Sequence, residues 1–379
     1  MRTTLKTLLV FGFSTTLAFA PACKKKEAPP QDGGAPVAVQ PSAGPDAGAG
    51  VAAARSQISA EEYEKLLLGL AACNVTGRSV DPKCPARAAY NSIRSFTSGR
   101  KLPPGPQLVA LAKKHATHAA PAVRLAAAGM LRSFFGSDGT VQQFVLDRAN
   151  VETEPAVMGR LLEVVGSRSA QNPAVRALLL KSADDPSEIV RTAAVSWLAS
   201  SWAQKTPGAL DKVLEKIEKD PSPAVRSMAC RDVYKHEDER VLPVLKKFAV
   251  DEAIGASCIE GIGGLWGHFM VKKRSEKAYR AFLELLRRKP RSPKMPPWQV
   301  MSLLGKPVKE TWYKQDEVVA LLKDIVADKQ SMWMARTGAV RALKDLKVDK
   351  KVFEELAKGY ENPQAEHKLV LNQIQQAAK

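Results

Sequence analysis

The chain has 379 residues, with 57 Lys or Arg against 39 Asp or Glu, a formal net charge of +18. A basic surplus of this size favours acidic partners and rules out nothing about the fold. The length would suit two globular domains, but the internal recurrence described below excludes that division in favour of one continuous stack.

Residues 1–22 read as an export signal rather than as part of the fold. Arg2 and Lys6 form a basic start, and residues 7–20 are an apolar run too short to span a membrane comfortably. Ala20-Pro-Ala-Cys23 follows. Cys23 resembles the lipid-modified cysteine of bacterial lipoproteins, although Ala20 stands where that pattern favours Leu and Pro21 where it favours a small residue. Ordinary cleavage after Ala22, leaving a free thiol, is the alternative. Residues 23–58 are rich in Lys, Pro, Ala and Gly and hold almost no large apolar side chain. Such a segment cannot offset its ordering entropy by burial, so it is expected as a disordered tether between an anchor and a domain. Lys24 does not resemble the Asp signal that keeps some lipoproteins at the inner membrane. The expected location is therefore the cell envelope, at the outer membrane facing the periplasm.

The folded part is expected over 59–379. Ser59 and Glu62 fit a capping box at the first helix. Cys73 and Cys84 flank a polar turn and are a disulfide candidate in an oxidising compartment, where a bridge would staple a terminal unit; two buried thiols are the alternative. Helical periodicity then predicts pairs at 103–118 with 121–134, 139–151 with 155–166, 172–183 with 186–203, 207–219 with 221–235, and 239–250 with 252–270. It continues at 275–289 with 296–305, 314–328 with 331–346, and 349–360 with 363–378. With the first pair, that is about nine units.

The second helices share a pattern: Ala120-Pro-Ala-Val-Arg124, Glu154-Pro-Ala-Val-Met158, Asp185-Pro-Ser-Glu-Ile-Val-Arg191 and Asp220-Pro-Ser-Pro-Ala-Val-Arg226. Pro121 to Pro155 is 34 residues and Asp185 to Asp220 is 35. That recurrence marks a solenoid, in which each unit buries its apolar face only against its neighbours. Asp220 is the expected N-cap of its helix. The pattern resembles the HEAT-repeat family, in its bacterial HEAT-like, armadillo-type branch. The resemblance implies an all-α solenoid in which Arg124, Arg191 and Arg226 stitch adjacent repeats, with the ladder interrupted at Met158 and Gly255.

No residue pattern points to catalysis. His115 and His118 could share a metal, but a solvated basic face is the expected reading. His236-Glu237 is a single His-Glu pair, whereas metal-dependent hydroxylases on HEAT-like repeats carry several. Cys230 and Cys258 sit at similar places in successive repeats and could be neighbours across the stack, but are expected as small buried core residues, and the six tryptophans as core. Neither a cofactor nor a metal site is expected.

Charge is the most informative remaining feature. Residues 272–294 hold ten Lys or Arg and two Glu. Lys272, Lys273, Arg274, Lys277, Arg280, Arg287, Arg288, Lys289, Arg291 and Lys294 are the candidate partner-binding residues. The expected function is a lipid-anchored, non-catalytic scaffold recognising a protein, or an anionic lipid or envelope polymer, and not a nucleic acid. The competing readings are a lyase-type enzyme, which some HEAT-like proteins are, and a carrier of an amphiphilic ligand.

Overall fold

The computed structural model describes residues 59–98, 106–135, 139–168, 170, 172–288, 298–306, 308–360 and 365–379. The expected export signal, the expected tether and Cys23 lie outside the described residues, as do Lys289, Arg291 and Lys294.

Among the described residues the chain forms eighteen α-helices. They are α1 (Ala60–Leu68), α2 (Arg87–Ser98), α3 (Pro106–His115), α4 (Pro121–Phe134), α5 (Gly139–Val151), α6 (Pro155–Val165), α7 (Pro173–Ser182), α8 (Glu188–Leu198) and α9 (Ala209–Lys219). Then come α10 (Pro223–Asp232), α11 (Val241–Phe248), α12 (Gly255–Gly267), α13 (Glu276–Arg287), α14 (Trp298–Leu304), α15 (Gln315–Ala327), α16 (Trp333–Asp345), α17 (Lys350–Lys358) and α18 (Ala365–Ala378). Each even-numbered helix packs on the next even-numbered one, forming an inner row. The odd-numbered helices form an outer row whose members touch one another less. The inner row is close because its buried faces are small: Ala126, Ala127 and Ala128 in α4, Ala193 and Ala194 in α8, Ala229 in α10, Ala339 in α16.

Several helix starts follow from one local device. Prolines 121, 155, 173 and 223 open α4, α6, α7 and α10, where a missing N–H leaves no bond unmade. Ser59 and Glu62 cap α1 reciprocally. At α10 the structure corrects the expected cap. Ser222, not Asp220, accepts from the Ala224 and Val225 amides. Asp220 lies two residues before the cap, buried, and accepts from the Ser222 N–H and bidentately from Arg191 of α8.

That bond belongs to a ladder. Arg124 of α4 reaches Glu152 with two nitrogens at 2.9 and 3.0 Å, and its third donates to the His118 and Ala119 carbonyls. Arg191 holds Asp220 at 2.9 and 3.1 Å and the Asp185 and Pro186 carbonyls at 2.9 Å. Arg226 of α10 donates to the Ile217 carbonyl at 2.9 Å and to Asp251 at 3.2 Å. Each guanidinium thus closes its own helix pair and grips the next. Burial alone would raise the Glu152 carboxyl, but the Arg124 hydrogen bond, the Glu154 amide and the Arg124 and Arg148 charges hold it below its ordinary value.

Other expectations need revision. His115 is not solvated: it is 3% exposed, and its Nε2 lies 2.8 Å from Glu64 of α1, an acid 51 positions away. Cys230 and Cys258 are buried in α10 and α12 and are joined to each other, with Cα atoms 4.6 Å apart. Cys73 and Cys84 are joined as well, with Cα atoms 5.4 Å apart. Between them lies a small antiparallel pairing of Val75–Thr76 with Ser79–Val80 about Gly77, whose φ of 59° suits a residue without a side chain. Trp266 is core, but Trp202 and Trp333 are 59% and 38% exposed.

Candidate binding groove on the outer row

Helix α12 sets the geometry of this region. A Cβ at Gly261 would collide with the Cys230 carbonyl, and one at Gly264 with the Tyr234 ring. These two glycines let α12 sink against α10, where the Cys230–Cys258 bond fastens it. On its other side, Trp266 packs edge-on to Tyr279 and against Phe282 of α13. Tyr279, Phe282, Leu283 and Leu286 are all buried.

Two adjoining clefts run between α11 and α13 on the outer row, of about 720 and 530 Å³. Both are lined by Leu242, Pro243 and Lys277. Leu265, Val271 and Ala281 add apolar surface, while Lys246, Lys273, Arg274, Arg280 and several acids form the rim. The turn before α13 is fixed from both ends. Ser275 caps α13 through the Ala278 amide, and its own N–H donates to Leu265. Glu237, at φ 53°, accepts from the Lys272 and Lys273 amides at 3.2 and 3.1 Å. A left-handed glutamate costs roughly 1–2 kcal/mol, and these charge-assisted bonds offset it.

The charges of 272–288 are not all alike. Arg280 and Arg287 both bind Glu317 of α15, at 2.9 and 2.7 Å. Arg288 binds Glu284 at 2.9 Å, which holds that carboxyl below its ordinary value. Arg274 donates to the Trp266 carbonyl. The side chains of Lys272, Lys273 and Lys277 are exposed and make no hydrogen bond or ion pair among the described residues. Lys246 of α11, a groove residue that the sequence reading did not single out, is exposed as well and makes no hydrogen bond among the described residues, though its charge helps to lower the Glu284 carboxyl.

Chemically reactive arrangements are sparse. His236 is buried with Nε2 2.8 Å from the Leu198 carbonyl, so that nitrogen carries a proton it donates there. Glu237 is occupied by the two backbone amides, so the single His-Glu pair is committed to structure. A smaller cleft of about 220 Å³ near the inner row is lined by Tyr234, Glu260, His268, Phe269 and Lys306. Burial raises the Glu260 carboxyl there. Burial, with the charges of Lys235 and Lys306, lowers the His268 imidazole. Among the described residues no group of three or more His, Cys, Asp or Glu could hold a metal ion. No described helix is long and apolar enough to cross a membrane.

Comparison with known proteins agrees with this geometry. The family described as HEAT repeats matches residues 175–255, the segment that carries the Arg191 and Arg226 links. The stack is an α-solenoid, and residues 175–255 of it resemble HEAT repeats. Among solved structures, a chain in the complex where Kap95p binds RanGDP superposes with a TM-score of 0.50 at 12% identity, covering 85% of this chain and 46% of that one. This chain therefore spans less than half the length of that neighbour, and the likeness is one of fold. YibA of Escherichia coli aligns with a TM-score of 0.43 at 16% identity, over 75% of this chain and 95% of that one. Human deoxyhypusine hydroxylase aligns with a TM-score of 0.29 at 15% identity, over 72% and 96%. No curated protein matches the sequence.

Proposed function

We propose that this HEAT-type solenoid is a non-catalytic scaffold that holds a protein partner in the α11–α13 groove, and that it works at the cell envelope, anchored by a lipid on Cys23. The groove carries the reading: an apolar floor with charged walls, presented by a frame whose turns and helices are fixed by internal bonds. Pre-organisation of this kind reduces the ordering that binding would otherwise require. The chain in the Kap95p–RanGDP structure has this fold in a protein–protein complex. Two cysteine pairs fit an oxidising compartment, and the start of the sequence fits export. Facing the periplasm from the outer membrane is the arrangement that Lys24 favours.

Metabolic labelling with a fatty acid tests the anchor. The wild type is expected to take up label and to sediment with membranes, and Cys23→Ser to do neither; equal labelling of the two refutes the anchor. In-cell cross-linking followed by mass spectrometry tests the scaffold, which requires a defined protein adduct that survives stringent washing.

A further inference from the structure

We infer that the groove takes an extended acidic segment of a partner protein, with apolar side chains on the floor and carboxylates on Lys246, Lys273 and Lys277. This rests on the groove being the partner site. The argument is one of charge bookkeeping within the fold. Of the cations around the groove, Arg280 and Arg287 are held by Glu317, Arg288 by Glu284, and Arg240 by Asp238 and Asp211. A ligand that recruited them would leave those acids uncompensated. The acids at the rim are committed in the same way: Glu237 to two amides, Asp238 to Arg240, Glu284 to Arg288, and Glu276 to Arg280 at 3.7 Å. What remains is Lys273 and Lys277 with no acid bonded, Lys246 whose charge reaches Glu284, Arg274 held by the Trp266 carbonyl, and one exposed acid, Glu239, around Leu242, Pro243, Leu265, Val271 and Ala281. Exposed lysines with no hydrogen-bonded acid can take up a carboxylate without breaking a bond within the fold, and local positive charge raises the association rate of an acidic partner.

The shape selects the class of partner. The apolar surface lies between two helices rather than on a protruding face. A single extended chain can enter it and reach the floor, whereas a flat anionic membrane would touch only the rim. The recognition charges also come from both walls. Lys246 is on α11, Lys277 on α13 and Lys273 in the turn before it, so an occupant must lie along the groove to meet all three.

Fluorescence anisotropy on the full chain decides the matter. The probes are a labelled peptide alternating Glu and Leu, its Gln–Leu counterpart, and vesicles containing phosphatidylglycerol. The Glu–Leu peptide is expected to bind in preference to the other two and to weaken as salt rises, since charge is screened within about 8 Å at physiological ionic strength. Combined K246Q/K273Q/K277Q should lose roughly tenfold in affinity, from three exposed charge contacts of ordinary size. R287Q/R288Q should lose less than about threefold. All five side chains are exposed, and circular dichroism verifies that both variants fold. Equal losses in the two variants, no preference for Glu–Leu over Gln–Leu, or binding to vesicles alone overturns the inference. A partner cross-linked elsewhere on the solenoid overturns both this inference and the groove as the partner site, whereas a partner held in the groove without preference for acidic segments overturns this inference alone.

Discussion

Arg191 and Arg226 occupy the same place in successive repeats, yet their surroundings differ. The Arg191–Asp220 pair is nearly dry, with side chains 10% and 0% exposed, against 18% and 27% for Arg226–Asp251. Removing Arg191 strips the buried Asp220 of its bidentate partner and leaves it Lys216, 3.7 Å away. Arg191→Ala should therefore cost about 3 kcal/mol, the low end for a broken buried pair. Arg226→Ala should cost about 1–3 kcal/mol, since water can reach Asp251. Urea melts of the two variants measure this, and a larger loss for Arg226→Ala would contradict the ladder as described. His236 makes a second prediction. Burial lowers its pKa from 6.5, so below about pH 6.5 the unfolded chain binds more protons than the folded one. The stability from neutral His236 is then present above that pH and lost as the pH falls. Melts from about pH 8 to about pH 5 should show a shallower loss in His236→Gln than in wild type, and identical slopes would remove His236 from the account. The ladder arginines were legible from their recurring position. The cap was not, because Asp220 and Ser222 both suit that role and the choice is made by Arg191, 29 residues earlier. His115 was misread for the same reason, its partner lying in another helix pair.

At the scale of helices, periodicity read the stack well because its helices bury one face and several of them open with proline or a capping side chain. The expected spans 121–134 and 139–151 coincide with α4 and α5. Where a span was read too long, as at 186–203, a helix gives way to a tighter turn, here Ser201–Ala203 after α8. The pairing of Val75–Thr76 with Ser79–Val80 was too short to leave a pattern. The junction of α10 and α12 was half legible: Cys230 and Cys258 occupy matching places, but only the close approach at Gly261 brings their sulfurs together. Gly261→Ala should force α12 outwards and cost about 1–3 kcal/mol, as overpacking does. A thermal melt unchanged by that substitution would show that the contact yields easily. Peptide mapping without reductant should recover Cys73 with Cys84 and Cys230 with Cys258, and free thiols at either pair would remove that link from the stack.

At the scale of the whole molecule, the surplus of positive charge turns out to be unevenly available. The run 272–294 was visible in the sequence, but its neutralisation by Glu317 was not, because Arg280 and Glu317 are separated by 37 positions and meet only through the stacking of α13 and α15. The groove was equally hidden. It needs α11, the turn before α13 and α13 itself, and it is held open between outer helices while the inner row is pulled close by glycine and a disulfide. A solenoid built this way recognises its partner through side chains from more than one repeat. Site-specific photocross-linking in cells tests that claim most directly, with the photoreactive residue placed at Lys277 in the groove or at Lys351 on α17. The account predicts a discrete protein adduct from position 277 that fades when salt is raised, and none from position 351. No adduct from 277, or the same adduct from both positions, would contradict it.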